Sequence, residues 1–153
     1  MGSGFKAYGQ VLADPRARSF SAAGFVARLP MSMTGIGTVL LISLTTGSFG
    51  RAGLVTGVGT AVGAVAAPMW GRTMDRIGQA RVLVVAAVLY ATSVSLLVVS
   101  VLAGWSLAVT LVAAAGSGLG FTPAGNCVRA RWAHRLRESP LLSTAFAVEA
   151  VLD

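Results

Sequence analysis

The sequence predicts an all-α membrane protein: four complete transmembrane helices followed by the start of a fifth. Two observations carry this. Of the 153 residues, 55% are hydrophobic and only 11% are charged, where a soluble domain carries about 25% charged residues. The charges also stand at wide intervals. None occurs in the 22 residues between Arg28 and Arg51, the 20 between Arg51 and Arg72, or the 47 between Arg81 and Arg129. A hydrocarbon core of roughly 30 Å needs about 20 apolar residues as helix. The first two runs therefore hold one crossing each and the third holds two, with a turn at Ala103-Gly104-Trp105.

A net charge of +7 would point to nucleic acid in a soluble chain. In a membrane chain, basic residues mark the cytoplasmic side, and nucleic acid is not an expected partner. Lys6, Arg16 and Arg18 precede the first span, Arg72, Arg76 and Arg81 separate the second and third, and Arg129, Arg131, Arg135 and Arg137 follow the fourth. On the other side, Arg51 is the lone charge in one loop and Gly104-Trp105 carries none. The expected topology places residues 1–19 in the cytoplasm and leaves two short external turns, in a multi-pass protein of the plasma or inner cell membrane. The first 18 residues are polar and basic, with no apolar block and cleavage site, so a cleaved signal peptide is not expected. The single Cys127 excludes an intrachain disulfide and reads as a small apolar residue at the inner end of span four.

The transmembrane region covers 20–128. Span one, about 22–46, has Arg28-Leu29-Pro30 near its inner end, where Pro30 either kinks the helix or sits in its first turns. Arg28 either snorkels to the inner surface or pairs with an acid inside the bundle. Span two, about 52–71, contains two pairs of small residues four apart, Gly53 with Gly57 and Gly59 with Gly63, which allow close helix approach. Span three, about 82–103, is rich in Val, Leu and Ala and is expected to face lipid. Span four, about 106–128, carries Gly116, Gly118 and Gly120, then Pro123, Gly125 and Asn126. Weakly helical stretches of this kind meet another helix or line a cavity when they lie in a membrane.

A basic loop is expected over 129–139. Ser139-Pro140 then reads as a helix start, with a serine cap and proline in the first helical position. The 14 residues of 140–153 reach about 21 Å at helical rise, less than the core, so the sequence is expected to be the N-terminal part of a longer chain. Glu149 and Asp153 share a face, and Glu149 lies about 14 Å into this helix. An acid at that depth usually marks an ion or substrate path, so Glu149, with Asp153 and Arg28, is a candidate for coupling or substrate contact. The alternative is that the acid contacts water at the helix end. No cofactor is expected: one histidine, His134, and one cysteine cannot complete a zinc site. There is no phosphate-binding loop and no Ser-His-acid set, so an enzyme is not expected either.

The stretch GRTMDRIGQAR, 71–81, stands between two long uncharged runs. Arginines there serve topology. Asp75 does not, and it can accept hydrogen bonds from an arginine or from the first amides of a nearby helix. Gly71 lets the end of span two lie against a neighbour, Gly78 permits a tight turn, and Arg81 opens span three at headgroup level. Together they read as a rigid, charged hinge. The stretch resembles the signature loop of the major facilitator superfamily, which runs Gly, three residues, Asp, a basic residue, one residue, Gly, one residue, then two basic residues. Gly71, Asp75, Arg76, Gly78 and Arg81 match. Ala80 departs from the pattern where a basic residue is common, while Arg81 keeps the end charge.

The resemblance implies the first four and a half helices of a twelve-helix transporter that works by alternating access on small molecules. It implies that Asp75 and Arg76 act in an inner gate rather than in binding substrate, with Arg129 or Arg131 as partner of Asp75. An ion gradient, of protons, follows as an expectation from the same resemblance, and efflux of small molecules is expected because nothing in these helices resembles a dedicated sugar-binding set. The alternative is a small four-span protein that oligomerises through its glycine faces and does not transport.

Overall fold

The computed structural model describes residues 15–121, 124–135 and 142–152, and among them every regular element is an α-helix. In chain order these are α1 (Pro15–Thr46), α2 (Phe49–Ile77), α3 (Gln79–Leu102), α4 (Leu107–Gly120), α5 (Ala124–Arg135) and α6 (Leu142–Leu152). Three are long and apolar enough to cross a membrane: Ser21–Thr46 within α1, then α2 and α3. α4 is apolar but has 14 residues, about 21 Å of helix. Large apolar side chains such as Leu44, Phe49, Val65 and Val112 are more than two-thirds exposed, as a lipid solvent permits and water would not.

The chain divides into two compact units, residues 31–122 and residues 1–30 with 123–153. In the first, α4 packs against both α2 and α3. Its apolar cluster joins Ile42, Ala52, Val55, Leu97, Ala113 and Ala114. It lies toward the end of the unit that holds the α1–α2 and α3–α4 turns. Those turns are tight because glycine takes a positive φ at Gly47 (67°) and Gly104 (65°), which side chains resist. Ser48 caps α2 by accepting a hydrogen bond from the Arg51 amide at 3.2 Å.

The glycines of α4 explain its position. A Cβ at Gly118 would collide with the backbone of Gly59, and would lie 3.1 Å from the Gly63 nitrogen. A Cβ at Gly120 would lie 2.5 Å from the Tyr90 nitrogen on α3. One helix thus meets two neighbours at backbone contact, Gly118 toward α2 and Gly120 toward α3. Thr34 of α1 and Tyr90 of α3 share a hydroxyl–hydroxyl hydrogen bond. Buried Ser100 and Thr110 share another, 3.1 Å long, between α3 and α4. In the second unit, Gly24 of α1 lies against Val128 of α5, α5 packs with α6, and Trp132 is 1% exposed.

Several boundaries differ from the sequence reading. Span two does not stop at 71: α2 runs on through Arg72–Ile77, and the expected loop contracts to Gly78 alone. Span four does not run unbroken to 128, because α4 ends at Gly120. Pro123 supplies the reason. A proline has no N–H to offer a carbonyl four residues back, so the helix cannot continue its ladder to Leu119. The Leu119 oxygen instead accepts a hydrogen bond from Trp70 Nε1, at 2.6 Å. Residues 129–135, expected in a loop, lie in α5, since nothing from Ala124 to Arg135 breaks the helix after Gly125. Pro30 and Pro68 lie inside α1 and α2.

Candidate functional site

The candidate site is the junction of α2 and α3. α2 closes on Gly78, whose amide donates to the Met74 carbonyl at 3.0 Å, and the same residue opens α3. Its φ of 90° and ψ of 145° belong to a region that residues with a Cβ rarely enter. No other residue separates two helices of 29 and 24 residues. The junction is a one-residue hinge, tighter than the loop the sequence suggested.

Asp75 sits in the last turn of α2 and is exposed. This is the negative end of the helix dipole, where a carboxylate is disfavoured by about 0.3–1 kcal/mol and a cation such as Arg76 is favoured. Asp75 also has no hydrogen-bond or ion-pair partner among the described residues. Arg72, Arg76 and Arg81 are all exposed, and Met74 beside them anchors the turn at 8% exposure. The hinge therefore presents three arginines and one carboxylate outward, with Met74 packed inward and Ile77 exposed. Among the described residues, nothing lies within 4 Å of where a Cβ on Gly71 would stand. The reason is its position on α2, outside the packed face formed by Gly59, Gly63, Ala66 and Met74.

Arg129 and Arg131 are exposed on α5, in the other compact unit from Asp75. Arg28, also in that second unit, is buried at 9% exposure. Glu149 falls within α6, and its side chain, like the whole of Asp153, lies outside the described residues.

Trp70 was not among the residues singled out by the sequence. The signal was present in part: a proline at 123 orphans the carbonyl at 119, and a membrane interior offers no water to satisfy it. What could not be read was which helix would bring the donor.

The sequence profile of the Major Facilitator Superfamily matches residues 20–148. The chain belongs to the major facilitator superfamily. This is a family of membrane transporters, and the match takes in the hinge and all six helices or most of each. Comparison with curated proteins and with solved structures gave no match.

Proposed function

We propose that this major facilitator chain serves a secondary active transporter that moves small molecules out of the cell by alternating access, driven by a proton gradient. In this reading the N-terminus is cytoplasmic, the protein lies in the plasma or inner cell membrane, and the Gly78 hinge works at the inner gate. The observation that carries the gate is Asp75: a carboxylate at the disfavoured end of a helix, exposed, and without a partner among the described residues. A partner from beyond its own unit, Arg129 or Arg131, would offset that cost in one state and release it in the other. Arg76 and Arg81 complete the charged surface, with Gly71 marking the start of the signature pattern. Glu149, with Asp153 and Arg28, is proposed for coupling or substrate contact, since charge near the membrane interior is costly without a task.

Three experiments test this. With Cys127 replaced by Ser, the Asp75→Cys chain is paired with Arg129→Cys or Arg131→Cys and oxidised in membranes. A disulfide in at least one pair is expected, and no disulfide in either removes the assigned partners. Second, cells expressing the chain are loaded with a panel of small amphipathic compounds, with and without a protonophore. Reduced accumulation that the protonophore abolishes is expected, and Asp75→Asn should reduce it about tenfold or more, the loss of one charge-assisted hydrogen bond. Accumulation equal to cells lacking the chain, with crosslinked oligomers on the membrane, would instead favour the non-transporting four-span reading. For orientation, Arg51→Cys should react with an impermeant maleimide on intact cells and Arg76→Cys should not.

A further inference from the structure

At the end of the 31–122 unit opposite Gly78, a cleft of about 110 Å³ opens between the α1–α2 and α3–α4 turns. Its floor is Ile42, Val55, Val101 and Leu107, and its rim carries Arg51 and Trp105. We propose that this cleft holds a phospholipid, with the phosphate on the Arg51 guanidinium and the Trp105 indole N–H and the first methylene groups of an acyl chain on the apolar floor.

Charge supports this first. The unit contains four arginines and one acid, Asp75. Asp75 is 24 residues from Arg51 along the same helix, about 36 Å at 1.5 Å per residue. Arg51 therefore has no counter-charge within reach in its own unit, and neither it nor the Trp105 indole has a side-chain partner among the described residues. Arg51 also stands in the first turn of a 29-residue helix, where the dipole adds to its positive field.

The hydroxyls of the cleft decide between a lipid and a polar solute. Thr46 Oγ1 donates to the Ile42 carbonyl at 2.7 Å and Ser100 Oγ donates to the Leu97 carbonyl at 2.8 Å. Thr110 Oγ1 has Ser100 Oγ at 3.1 Å and the Ser106 carbonyl at 3.4 Å as acceptors. All three protons are engaged inside the protein. The cleft thus offers donors only at its rim and apolar surface below, which is the pattern of a phosphate with a hydrocarbon chain beneath it. Indole and guanidinium groups at headgroup depth are each suited to that boundary. The inference does not depend on which way the chain is inserted, nor on transport.

The test uses the whole chain purified in a mild detergent. Retained phospholipid is counted by native mass spectrometry for the wild type, Arg51→Gln and Trp105→Phe, with helicity checked for each. Arg51→Gln is expected to lower occupancy of one tightly held lipid roughly tenfold, the worth of one charge-assisted hydrogen bond. Trp105→Phe, which keeps a smaller aromatic ring and removes the N–H, should lower it less, and it serves if Arg51→Gln does not fold. Delipidated protein is then heated with phosphatidylglycerol, with diacylglycerol or with inorganic phosphate. Protection by phosphatidylglycerol alone, lost in Arg51→Gln, supports the proposal. Equal protection by inorganic phosphate would make this a soluble-anion site, and equal protection by diacylglycerol an apolar groove that ignores charge. Either result, or unchanged lipid occupancy in both variants, overturns it.

Discussion

α2 carries two glycine pairs with the same four-residue spacing, and they meet different surroundings. At Gly59 and Gly63 an added Cβ would stand 3.1 Å from the Ala114 carbonyl oxygen and 3.2 Å from that of Gly118. At Gly53 and Gly57 it would meet nothing within 4 Å among the described residues. The helix itself accounts for this. At 3.6 residues per turn, the two positions from Gly57 to Gly59 rotate the face by about 200°. The second pair continues the buried line Ala52, Val55, Gly63, Ala66, Met74, and the first pair points away from it. A small-residue motif therefore reports that a backbone can approach closely, not that one does. The neighbour decides, and here the neighbour is α4 with its own glycines.

The sharpest way to break that contact is from the α4 side. Gly118→Ala places a methyl group against the Gly59 backbone, with the Gly63 nitrogen 3.1 Å away. Backbone cannot rotate aside as a side chain can, so α2 and α4 must separate. We expect a cost of about 3 kcal/mol or more, at the upper end of overpacking effects. A large loss of the folded fraction after heating in detergent would show it. Gly116→Ala makes a useful contrast, because its methyl group meets Ser93 Oγ at 2.5 Å, a side-chain atom that can turn away. Equal stability of Gly118→Ala and wild type would mean that α2 and α4 are not in backbone contact.

A smaller effect is expected at Gly78, where the glycine serves conformation and not proximity. Among the described residues nothing lies within 4 Å of its Cβ position, yet its φ of 90° penalises any side chain by about 1–3 kcal/mol. Gly78→Ala should lower stability by that amount and alter the accessibility of an Asp75→Cys probe. Gly78→Asn should be milder if the local conformation can relax to the left-handed region that Asn tolerates. An alanine variant as stable as wild type would show that the hinge is not held in this conformation.

These glycines also show how far the sequence could be read. The spans were legible because charge is nearly absent between Arg28 and Arg129 except at three places, and each place marks a helix end. The hinge was legible from Gly78, although its length was not. Arg72–Ile77 looked like loop because Arg72, Asp75 and Arg76 are charged, but α2 can continue as helix once it leaves the hydrocarbon, and it ends at Gly78 with its φ of 90°. The break in span four was visible as Pro123, but not its consequence at Leu119. Pairing is the part that local sequence does not encode. Which of two glycine pairs is covered, and which helix brings a donor to the Leu119 carbonyl, depend on contacts between segments tens of residues apart.

Trp70→Phe tests one such pairing at a lower energy. It keeps an aromatic ring, though a smaller one, and removes the donor that the Leu119 carbonyl uses at 2.6 Å. The orphaned carbonyl costs about 1–2 kcal/mol, since Pro123 cannot replace the bond. We expect that loss in thermal stability, with faster amide exchange in the last turn of α4 and none in its first. A uniform change along α4 would point to altered packing of the ring and not to the carbonyl.

The smallest effect belongs to the open pair. Gly53→Ala and Gly57→Ala add methyl groups where nothing stands, and alanine is favoured over glycine by about 0.8–1.0 kcal/mol in a helix interior. If this face of α2 contacts only lipid, the double variant should be as stable as wild type or slightly more so, with unchanged association in crosslinking. If instead the face is covered by a second copy of the chain, the same methyl groups would hold the two backbones apart, and crosslinked oligomers would fall while the fold of each chain persists. The double variant thus separates a motif that eases packing within the chain from one that eases packing between chains, and it does so at the positions where the oligomer reading of this sequence would have to act.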